Sequence, residues 1–312
     1  MSTDERTLLV QTVRDLVNKH ADSEAVRAAM DSERGYDESL WRLLCEQVGA
    51  AALVVPEDLG GAGGELADAA AVITELGRAL VPTPLLGTTL AELALLAVDA
   101  HEPLEGLAEG TSIGTVAFDA DYVINGDVAD VVIGADGENL TRWTTFTATP
   151  KSTMDLTRRL SSVIPGDTVV LGTDPGLADT AALLMAAEQI GAASRCLDLT
   201  VAYTKDRVQF GRPIGSFQAL KHRMADLYVK VSAARAVVND AIADPSPTSA
   251  SLARYFASEA LSAVTAEAIQ MHGGIAITWE SDIQLYFKRA HGSAQLLGPP
   301  RQHLRRLEAE VF

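Results

Sequence analysis

Apolar residues recur every three or four positions along most of the chain, which is the spacing of amphipathic helices. Residues 2–19 predict a first helix, because Ser2 and Glu5 form a capping-box pattern ahead of an apolar stripe that includes Leu9 and Val13. Further helices are predicted from about Ser23 and over residues 37–48, 65–80 and 87–99.

The character of the sequence changes between Thr111 and Thr173, where short runs rich in Val, Ile and Thr alternate with Gly, Asp, Asn and Pro. Such runs are typical of β-strands. Beyond Asp174-Pro175 the helical spacing returns, and it predicts helices over residues 177–206, 217–243, 249–272, 278–296 and 299–310. We therefore expect a mainly α fold with a small central β domain. Its parts are an N-terminal helical domain (1–110), a reduced middle β domain (111–173) and a C-terminal helical bundle domain (174–312).

Composition restricts the class of partner. The 312 residues carry a formal net charge of −17, with 47% hydrophobic and 21% charged residues. These proportions are ordinary for a globular protein, and the excess of acid disfavours nucleic acid and membrane surfaces as partners. Cys45 and Cys196 are the only cysteines, and both lie in apolar helical patterns, so neither a disulfide framework nor a metal site is expected. The acidic N-terminal segment lacks the features of a secretory signal, and we expect a cytoplasmic protein.

The stretch from Arg207 to Asp226, RVQFGRPIGSFQALKHRMAD, separates two of the long predicted helices. Gly211, Pro213 and Gly215 interrupt the helical spacing and predict a rigid corner, after which Ser216 stands where an N-cap is expected. A guanidinium beside a helix N-terminus suits a phosphate or pyrophosphate group. A purely structural corner in a helical bundle is the alternative interpretation of the residues alone.

As a string, this stretch resembles the R-x-x-F-G-x-P-I and F-Q-A-x-K-H-x-x-A-D runs in the C-terminal helical domain of the acyl-CoA dehydrogenases, flavoenzymes that oxidise acyl-CoA thioesters. A second block, Gln270 to Ile275 (QMHGGI), is similar to the family's Q-x-x-G-G run, and Trp279-Glu280 and Lys288-Arg289 follow it in the expected order. Residues 56–63 (PEDLGGAG) resemble a loop of the family's N-terminal domain. The resemblance is dense over 176–296, moderate over 36–87 and poor in the predicted β domain.

The resemblance implies an acyl-CoA dehydrogenase-like fold with a C-terminal four-helix bundle, and FAD at the subunit interface. In the family, the corner and the glycine turn of one protomer reach the FAD that is held mainly by its neighbour. Carried over to this sequence, the cofactor-binding positions are Arg207, Gln209, Phe210, Ile214, Phe217, Gln270, Met271 and Gly274. An arginine fork and glycines that admit close backbone approach suit this role. The alternative for Phe210, Ile214 and Phe217 is that they are core residues.

Two departures from the family pattern bear on catalysis. The T-E-P-x-A-G-S-D loop that supports the flavin ring has no counterpart between Glu109 and Asp130, and Trp143-Thr144-Thr145 is a faint echo of the later W-[IV]-T strand. The two positions at which family members carry the catalytic base hold Gly298 and Ala181, and neither can ionise. No catalytic residue is therefore predicted.

Glu188 is a nearby carboxylate on the apolar stripe of the helix that contains Ala181. We favour a helix-surface acid or an ion-pair partner for it, and a relocated catalytic base is the alternative. His291 is interpreted in the same way, as a partner for solvent or for a helix end.

We therefore interpret the chain as a degenerate subunit that resembles the non-catalytic chain of actinobacterial α2β2 acyl-CoA dehydrogenases. The expected partners are a second acyl-CoA dehydrogenase-like chain, an acyl-CoA substrate that by analogy is steroid-derived, and electron-transfer flavoprotein as acceptor. Two alternatives stay open. One is a self-sufficient homo-oligomeric dehydrogenase with a relocated base, and the other is a non-enzymatic scaffold of the same fold.

Overall fold

The computed structural model describes residues 1–311, and side chains for residues 1–309; Phe312, the end of the third predicted domain, lies outside the described residues. The predicted mainly α fold is confirmed. The capping box of Ser2 and Glu5 begins the first helix, and a π-helical turn over Leu44–Val48 extends the third. The helices that precede the strands are α1 (Thr3–His20), α2 (Ser23–Asp31), α3 (Glu38–Leu43), α4 (Leu66–Arg78), α5 (Leu85–Ala97) and α6 (Leu104–Ala108).

The strands between Gly114 and Thr173 form two small sheets. They are β1 (Gly114–Ala117), β2 (Val123–Ile124), β3 (Val131–Ala135), β4 (Asn139–Trp143), β5 (Phe146–Lys151), β6 (Leu160–Pro165) and β7 (Thr168–Thr173). One sheet has the order β1-β3-β4-β7, with β1 and β3 parallel and the other neighbours antiparallel. The second sheet has the order β2-β6-β5 and is antiparallel throughout.

The sequence did not predict α6, β2 or β6, and it read β4 and β5 as one run. The two strands are separate because the chain turns at Thr144-Thr145, whose backbone N–H groups donate to the carbonyl of Asp167 at 2.9 and 3.4 Å. Strand β6 was missed because its sequence, LSSVIP, contains two serines and a proline and lacks the apolar alternation that signals a strand.

The C-terminal helices form the expected four-helix bundle. They are α7 (Leu177–Asp206), α8 (Gln218–Ala243), α9 (Pro247–His272) and α10 (Ile283–Gln295), and α11 (Pro300–Val311) packs against α9. The link between α7 and α8 contains two short paired strands, β8 (Val208–Gln209) and β9 (Arg212–Pro213), and a 3₁₀ turn over Ile214–Ser216.

One predicted N-cap and one predicted helix start are wrong. Ser216 does not cap α8, because the 3₁₀ turn includes Ser216 and the helix begins only at Gln218; in the described structure the buried Ser216 hydroxyl has no hydrogen-bond partner. The helix predicted from residue 278 begins at Ile283, because Gly273–Ile277 forms a 3₁₀ turn and Thr278 is extended.

A continuous hydrophobic core joins the helices to the strands. Leu44 of the N-terminal helices, Ile133 of β3 and Leu184 of α7 are all fully buried in it. Helix α5 lies against β1, where the Gly114 N–H donates to the Thr88 hydroxyl at 3.2 Å. The boundaries near residues 110 and 173 therefore do not interrupt the core, and the division into three domains stays a prediction. Among the described residues, no helix has the length and apolar character that crossing a membrane requires.

Helices α4 and α7 cross at very close range, and glycines permit it. A Cβ atom on Gly191 of α7 would lie 2.0 Å from the carbonyl oxygen of Thr74, and one on Gly77 of α4 would lie 2.4 Å from the carbonyl oxygen of Glu188. Both contacts are with backbone atoms, which cannot swing aside as a flexible side chain can. The position of α7, which carries much of the candidate site, therefore depends on the absence of a side chain at Gly77 and at Gly191.

We expect Gly191→Ala to lower the free energy of unfolding by about 2 kcal/mol, because an added methyl must push α4 and α7 apart. Urea unfolding followed by circular dichroism measures this change. The control is Ala202→Ser on the exposed face of the same helix, which should change stability by less than about 0.5 kcal/mol. Equal midpoints for Gly191→Ala and the unmodified chain would contradict the close-crossing interpretation.

Candidate functional site

The corner after α7 is a tight hairpin that presents an aromatic ring to solvent. Phe210 and Gly211 form its turn, and both have positive φ (53° and 76°), as the turn of a two-residue hairpin requires. The Phe210 side chain is 92% exposed, so the core interpretation is wrong for this residue. Ile214 and Phe217 are half-buried. The Arg212 guanidinium lies 4.0 Å from the centre of the Phe217 ring. The Phe210 and Phe217 rings meet edge-on, with their centres 6.1 Å apart.

The polar side chains of the corner are free to bind a ligand. Arg207 and Gln209 are exposed, and no carboxylate in the described part of the chain pairs with the Arg207 guanidinium. The Gln209 amide donates only to its neighbour, the Val208 carbonyl, at 2.9 Å. An unpaired guanidinium is the donor that a pyrophosphate recruits best, since its planar fork matches two phosphate oxygens.

The glycine turn after α9 lies at the same end of the bundle, because the Tyr203 hydroxyl donates to the His272 carbonyl at 3.3 Å. Gln270 is exposed, whereas the Met271 side chain is 94% buried, so only the backbone of Met271 faces the turn. Gly273 has φ 66° and ψ −144°, a conformation that favours glycine. A Cβ atom on Gly274 would meet no atom within 4 Å. The turn therefore leaves room for a group to approach its backbone.

A second feature is a cavity of about 730 Å³ between α5, α7, the strands and the loop after α10. Ala181 and Gly298, the two positions at which the family carries its base, both line it. Asp119, an exposed residue whose carboxylate accepts from the Asp121 N–H at 2.9 Å, is the only acid among the residues described around this space. The rest of the wall is mostly apolar, formed by Leu86, Gly87, Leu90, Thr115, Val116, Phe118, Tyr122, Ile124, Thr153, Leu160, Ala178, Met185, Gly292, Gln295, Leu296 and Leu297.

Two of the hydroxyl groups that line this cavity already donate to backbone carbonyls, which leaves fewer donors for an isoalloxazine ring, a group that needs hydrogen-bond donors at its nitrogens and carbonyls. The Thr115 hydroxyl already donates to the Ile124 carbonyl at 2.6 Å, and the Thr153 hydroxyl donates to the Asp155 carbonyl at 2.9 Å. The indole N–H of Trp143 donates to the Thr141 hydroxyl within its own sheet at 3.2 Å. The donor set of the corner suits the phosphate end of a dinucleotide, whereas the other side-chain donors of the cavity are those of Tyr122 and Gln295.

Glu188 is held in a buried ion cluster, so the surface interpretation is wrong and the ion-pair interpretation is correct. Its carboxylate pairs with Arg158, which precedes β6, and accepts from Arg289 of α10 at 2.9 Å. Arg289 also pairs with Asp155 at 2.7 Å. Burial acts to raise the pKa of Glu188, but the two guanidinium groups outweigh it, and the net shift of the pKa is downward. A carboxylate fixed between two arginines is a poor general base.

Glu92 and His291 are also poorly suited to act as the catalytic base. Glu92 of α5 is fully buried, has no hydrogen-bond partner in the described structure and does not line the cavity. Burial raises its pKa well above the usual range, which keeps the carboxyl protonated and unable to accept a proton. His291 is exposed, and its Nδ1 bonds the Phe287 carbonyl at 3.0 Å, as expected for a residue that faces solvent.

The loop that contains Gly298 is held from behind by a buried arginine. Arg254 of α9 donates to the carbonyls of Ser293 and Leu296, the latter at 2.9 Å, and so caps the end of α10. No acid pairs with Arg254 among the described residues, and burial lowers its pKa to about 9. The His303 ring bonds the Leu297 carbonyl at 3.0 Å from the other side. This wall of the cavity is therefore rigidly supported, although it carries no carboxylate.

Family sequence profiles described as "Acyl-CoA dehydrogenase, N-terminal domain" and "Acyl-CoA dehydrogenase, C-terminal domain" match residues 3–102 and 178–311. The chain is 79% identical to "Acyl-CoA dehydrogenase IpdE2" of Mycolicibacterium smegmatis, over 99% of this chain and 100% of that protein. It is 69% identical to the protein of the same name from Mycobacterium tuberculosis, over 99% and 98%. This chain belongs to the acyl-CoA dehydrogenase family.

Solved structures agree with this assignment. The "Tcur3481-Tcur3483 steroid ACAD G363A variant" superposes with a TM-score of 0.90 at 27% identity, covering 99% of this chain and 98% of that one. The "ChsE4-ChsE5 complex from Mycobacterium tuberculosis" gives a TM-score of 0.91 at 26% identity, covering 100% and 98%. Membership of the acyl-CoA dehydrogenases supports the oxidoreductase class, and the family typically binds FAD.

Sequence reasoning found the corner and the turn because both are short strings of chain. It offered Glu188 as an ion-pair partner but did not identify the other members of the cluster, Asp155, Arg158 and Arg289, which are far from it in sequence and meet it only in the fold. The one available signal was three charged residues, Asp155, Arg158 and Arg159, crowded into an apolar-poor link between β5 and β6.

We expect Glu188→Gln to lower the free energy of unfolding at pH 7 by about 3 kcal/mol, because it leaves two buried guanidinium groups without their shared counter-charge. The fold lowers the pKa of Glu188, so its ion pairs stabilise the protein above the unfolded-state value of about 4.3. That contribution is lost as the pH falls through the lower folded-state pKa. Urea unfolding at pH 7 and at pH 4 and below measures it.

The control for this variant is Glu102→Gln, which removes a solvent-exposed pairing with Arg142 and should cost less than about 1 kcal/mol. A Glu188→Gln protein as stable as the control at pH 7, or a difference that grows as the pH falls, would contradict the role of the cluster.

Proposed function

We propose that this chain is a subunit of an FAD-dependent acyl-CoA dehydrogenase that completes the FAD site of a second, similar chain and contributes no catalytic base. The proposal rests on the contrast between the cavity and the end of the helical bundle that carries the corner and the glycine turn. The cavity has Ala181 and Gly298 at the base positions. At that end of the bundle, Arg207 and Phe210 are exposed, and the space beside Gly274 is open.

Each residue of the bundle end has a role in this proposal. Arg207 forks onto the pyrophosphate of the partner-held FAD, and the exposed Phe210 ring covers the edge of the dinucleotide. Ile214 and Phe217 support that ring from below, and Gln209 and Gln270 donate hydrogen bonds. The backbone at Met271 and Gly274 approaches the same group from the second turn; the buried Met271 side chain holds the turn against the core.

Bound FAD would accept the β-hydrogen of the thioester as hydride, while the α-proton goes to a carboxylate on the partner chain. The residues of this chain bind and orient, and they exclude water from the phosphate end of the site. No proton transfer is assigned to them.

The comparisons support the composition of such an assembly. Two of the similar structures have paired chain names, one as a steroid ACAD and one as a complex. We propose accordingly an α2β2 assembly with a second acyl-CoA dehydrogenase-like chain, a bulky and steroid-derived acyl-CoA as substrate, and electron-transfer flavoprotein as acceptor. A self-sufficient homo-oligomer is disfavoured because Glu188 is locked between two arginines, and a pure scaffold because Arg207 has no structural partner.

We expect the purified chain alone to show no flavin absorbance near 450 nm, and the mixture with its dehydrogenase-like partner to retain FAD and oxidise acyl-CoA. Arg207→Ala should then weaken FAD binding at least tenfold, because a charge-assisted fork onto phosphate is lost. Absorbance spectra and fluorescence titration of FAD give both quantities.

Arg42→Ala, at an exposed arginine of α3 remote from the bundle end, is the matched control and should leave FAD binding unchanged. Stoichiometric FAD on the chain alone would favour the self-sufficient enzyme. FAD affinity that is equal in Arg207→Ala and in the unmodified mixture would favour the scaffold.

A further inference from the structure

Two aromatic rings join the corner to the glycine turn. Tyr203 lies in the last turn of α7, four residues before Arg207, and His272 is the last residue of α9. Their ring centres are 4.1 Å apart and the planes differ by 21°, so the rings are stacked. The Tyr203 hydroxyl also donates to the His272 carbonyl at 3.3 Å. The pair thus connects the two helix ends by both ring and backbone.

The imidazole is fixed in one tautomer. Its Nδ1 lies 2.8 Å from the Ala268 carbonyl, and since a carbonyl can only accept, Nδ1 carries the hydrogen. The ring is 91% buried, and burial lowers its pKa, so the neutral form is the one held in place. With its orientation set by Ala268 on its own helix, the ring offers Tyr203 a rigid surface.

Each ring is in turn connected to one of the two proposed FAD-binding segments. The Tyr203 carbonyl accepts from the Arg207 N–H at 2.9 Å, and the Arg207 carbonyl accepts from the Ile214 N–H at 2.8 Å, which closes the hairpin. On the other side, His272 immediately precedes Gly273, whose positive φ begins the turn toward Gly274. Each ring therefore belongs to a residue whose backbone is joined directly to one of the two segments.

We propose that Tyr203 and His272 are positioning residues, which hold the corner and the glycine turn at the fixed separation needed for both to contact one dinucleotide. The proposal rests on the proposed function, since the dinucleotide is the partner-held FAD. Neither ring needs to touch the cofactor. Because the pair already holds the two segments together, less of the free energy of FAD binding is needed to order them, which is the general advantage of a preorganised site.

The first test uses the chain alone and does not depend on FAD. Tyr203→Ala removes the stack, and we expect faster amide hydrogen exchange in residues 207–217 and 270–277 together, while α8 and the centre of α9 stay protected. Phe287→Ala is the matched control, because Phe287 also contacts a histidine ring, His291 at 4.3 Å, but within a single helix. Exchange that is unchanged in Tyr203→Ala, or raised equally in the control, would overturn the proposal.

The second test measures FAD affinity in the mixture with the partner chain. We expect Tyr203→Ala to raise the dissociation constant for FAD roughly five- to tenfold without changing the mass of the complex, and Tyr203→Phe to restore most of the affinity because the stack is kept. In a double-mutant cycle, Tyr203→Ala should cost much less when Arg207 is already alanine, since Tyr203 acts through Arg207.

The outcomes separate the two proposals. An unmodified mixture that binds no FAD would overturn the proposed function and, with it, the role given to these rings. A mixture that binds FAD equally well with Tyr203→Ala would overturn only the positioning role. If the losses of FAD affinity in the double-mutant cycle were additive, the positioning role would also be overturned, because Tyr203 would then act independently of Arg207.

Discussion

The buried ion cluster around Glu188 joins helices α7 and α10 to the link before β6. One carboxylate on α7 faces an arginine from the link before β6 and an arginine from α10, and Asp155 completes the cluster. Each ion has left water, and only its partners offset that loss. The cluster therefore holds the link before β6 against α7 and α10, because a buried charge that is separated from its partner costs about 3–5 kcal/mol. The same pairing makes Glu188 unavailable as a catalytic base.

With α7 fixed in this way, its two ends serve different purposes. Near its start, Ala181 faces a mostly apolar cavity in which the Thr115 and Thr153 hydroxyls already donate to backbone carbonyls. At its finish, the chain leaves the helix in a hairpin whose guanidinium and aromatic ring have solvent as their main neighbour. The recognition groups thus lie in solvent, and the two base positions in the cavity hold residues that cannot ionise. That division of labour is the physical basis for assigning a supporting part in flavin chemistry to this chain.

The sequence was informative where structure is local. Helix α7 was predicted within a residue, because a 30-residue helix carries its own periodicity and ends at a recognisable Gly-Pro-Gly corner. The exposed state of Phe210 could not be predicted from the pattern, since a phenylalanine followed by glycine suits a core as well as a turn. The N-cap of α8 was assigned to the wrong residue, because serine is a common cap but Ser216 lies inside a 3₁₀ turn. Strand β6 and the ion cluster depend on partners many residues away, and no local pattern encodes them.

Phe210 shows what this arrangement means for the evolution of the chain. A phenylalanine with positive φ is strained by about 1 kcal/mol or more relative to glycine, and its ring is almost wholly in water. Asparagine or glycine would satisfy the turn with less strain and remove an apolar surface. If selection acted only on the stability of the single chain, drift would erase this residue. In the assembly proposed above, contact of this ring with the dinucleotide of the partner chain would offset the cost, so that one polypeptide would bear the strain and the complex would gain the affinity.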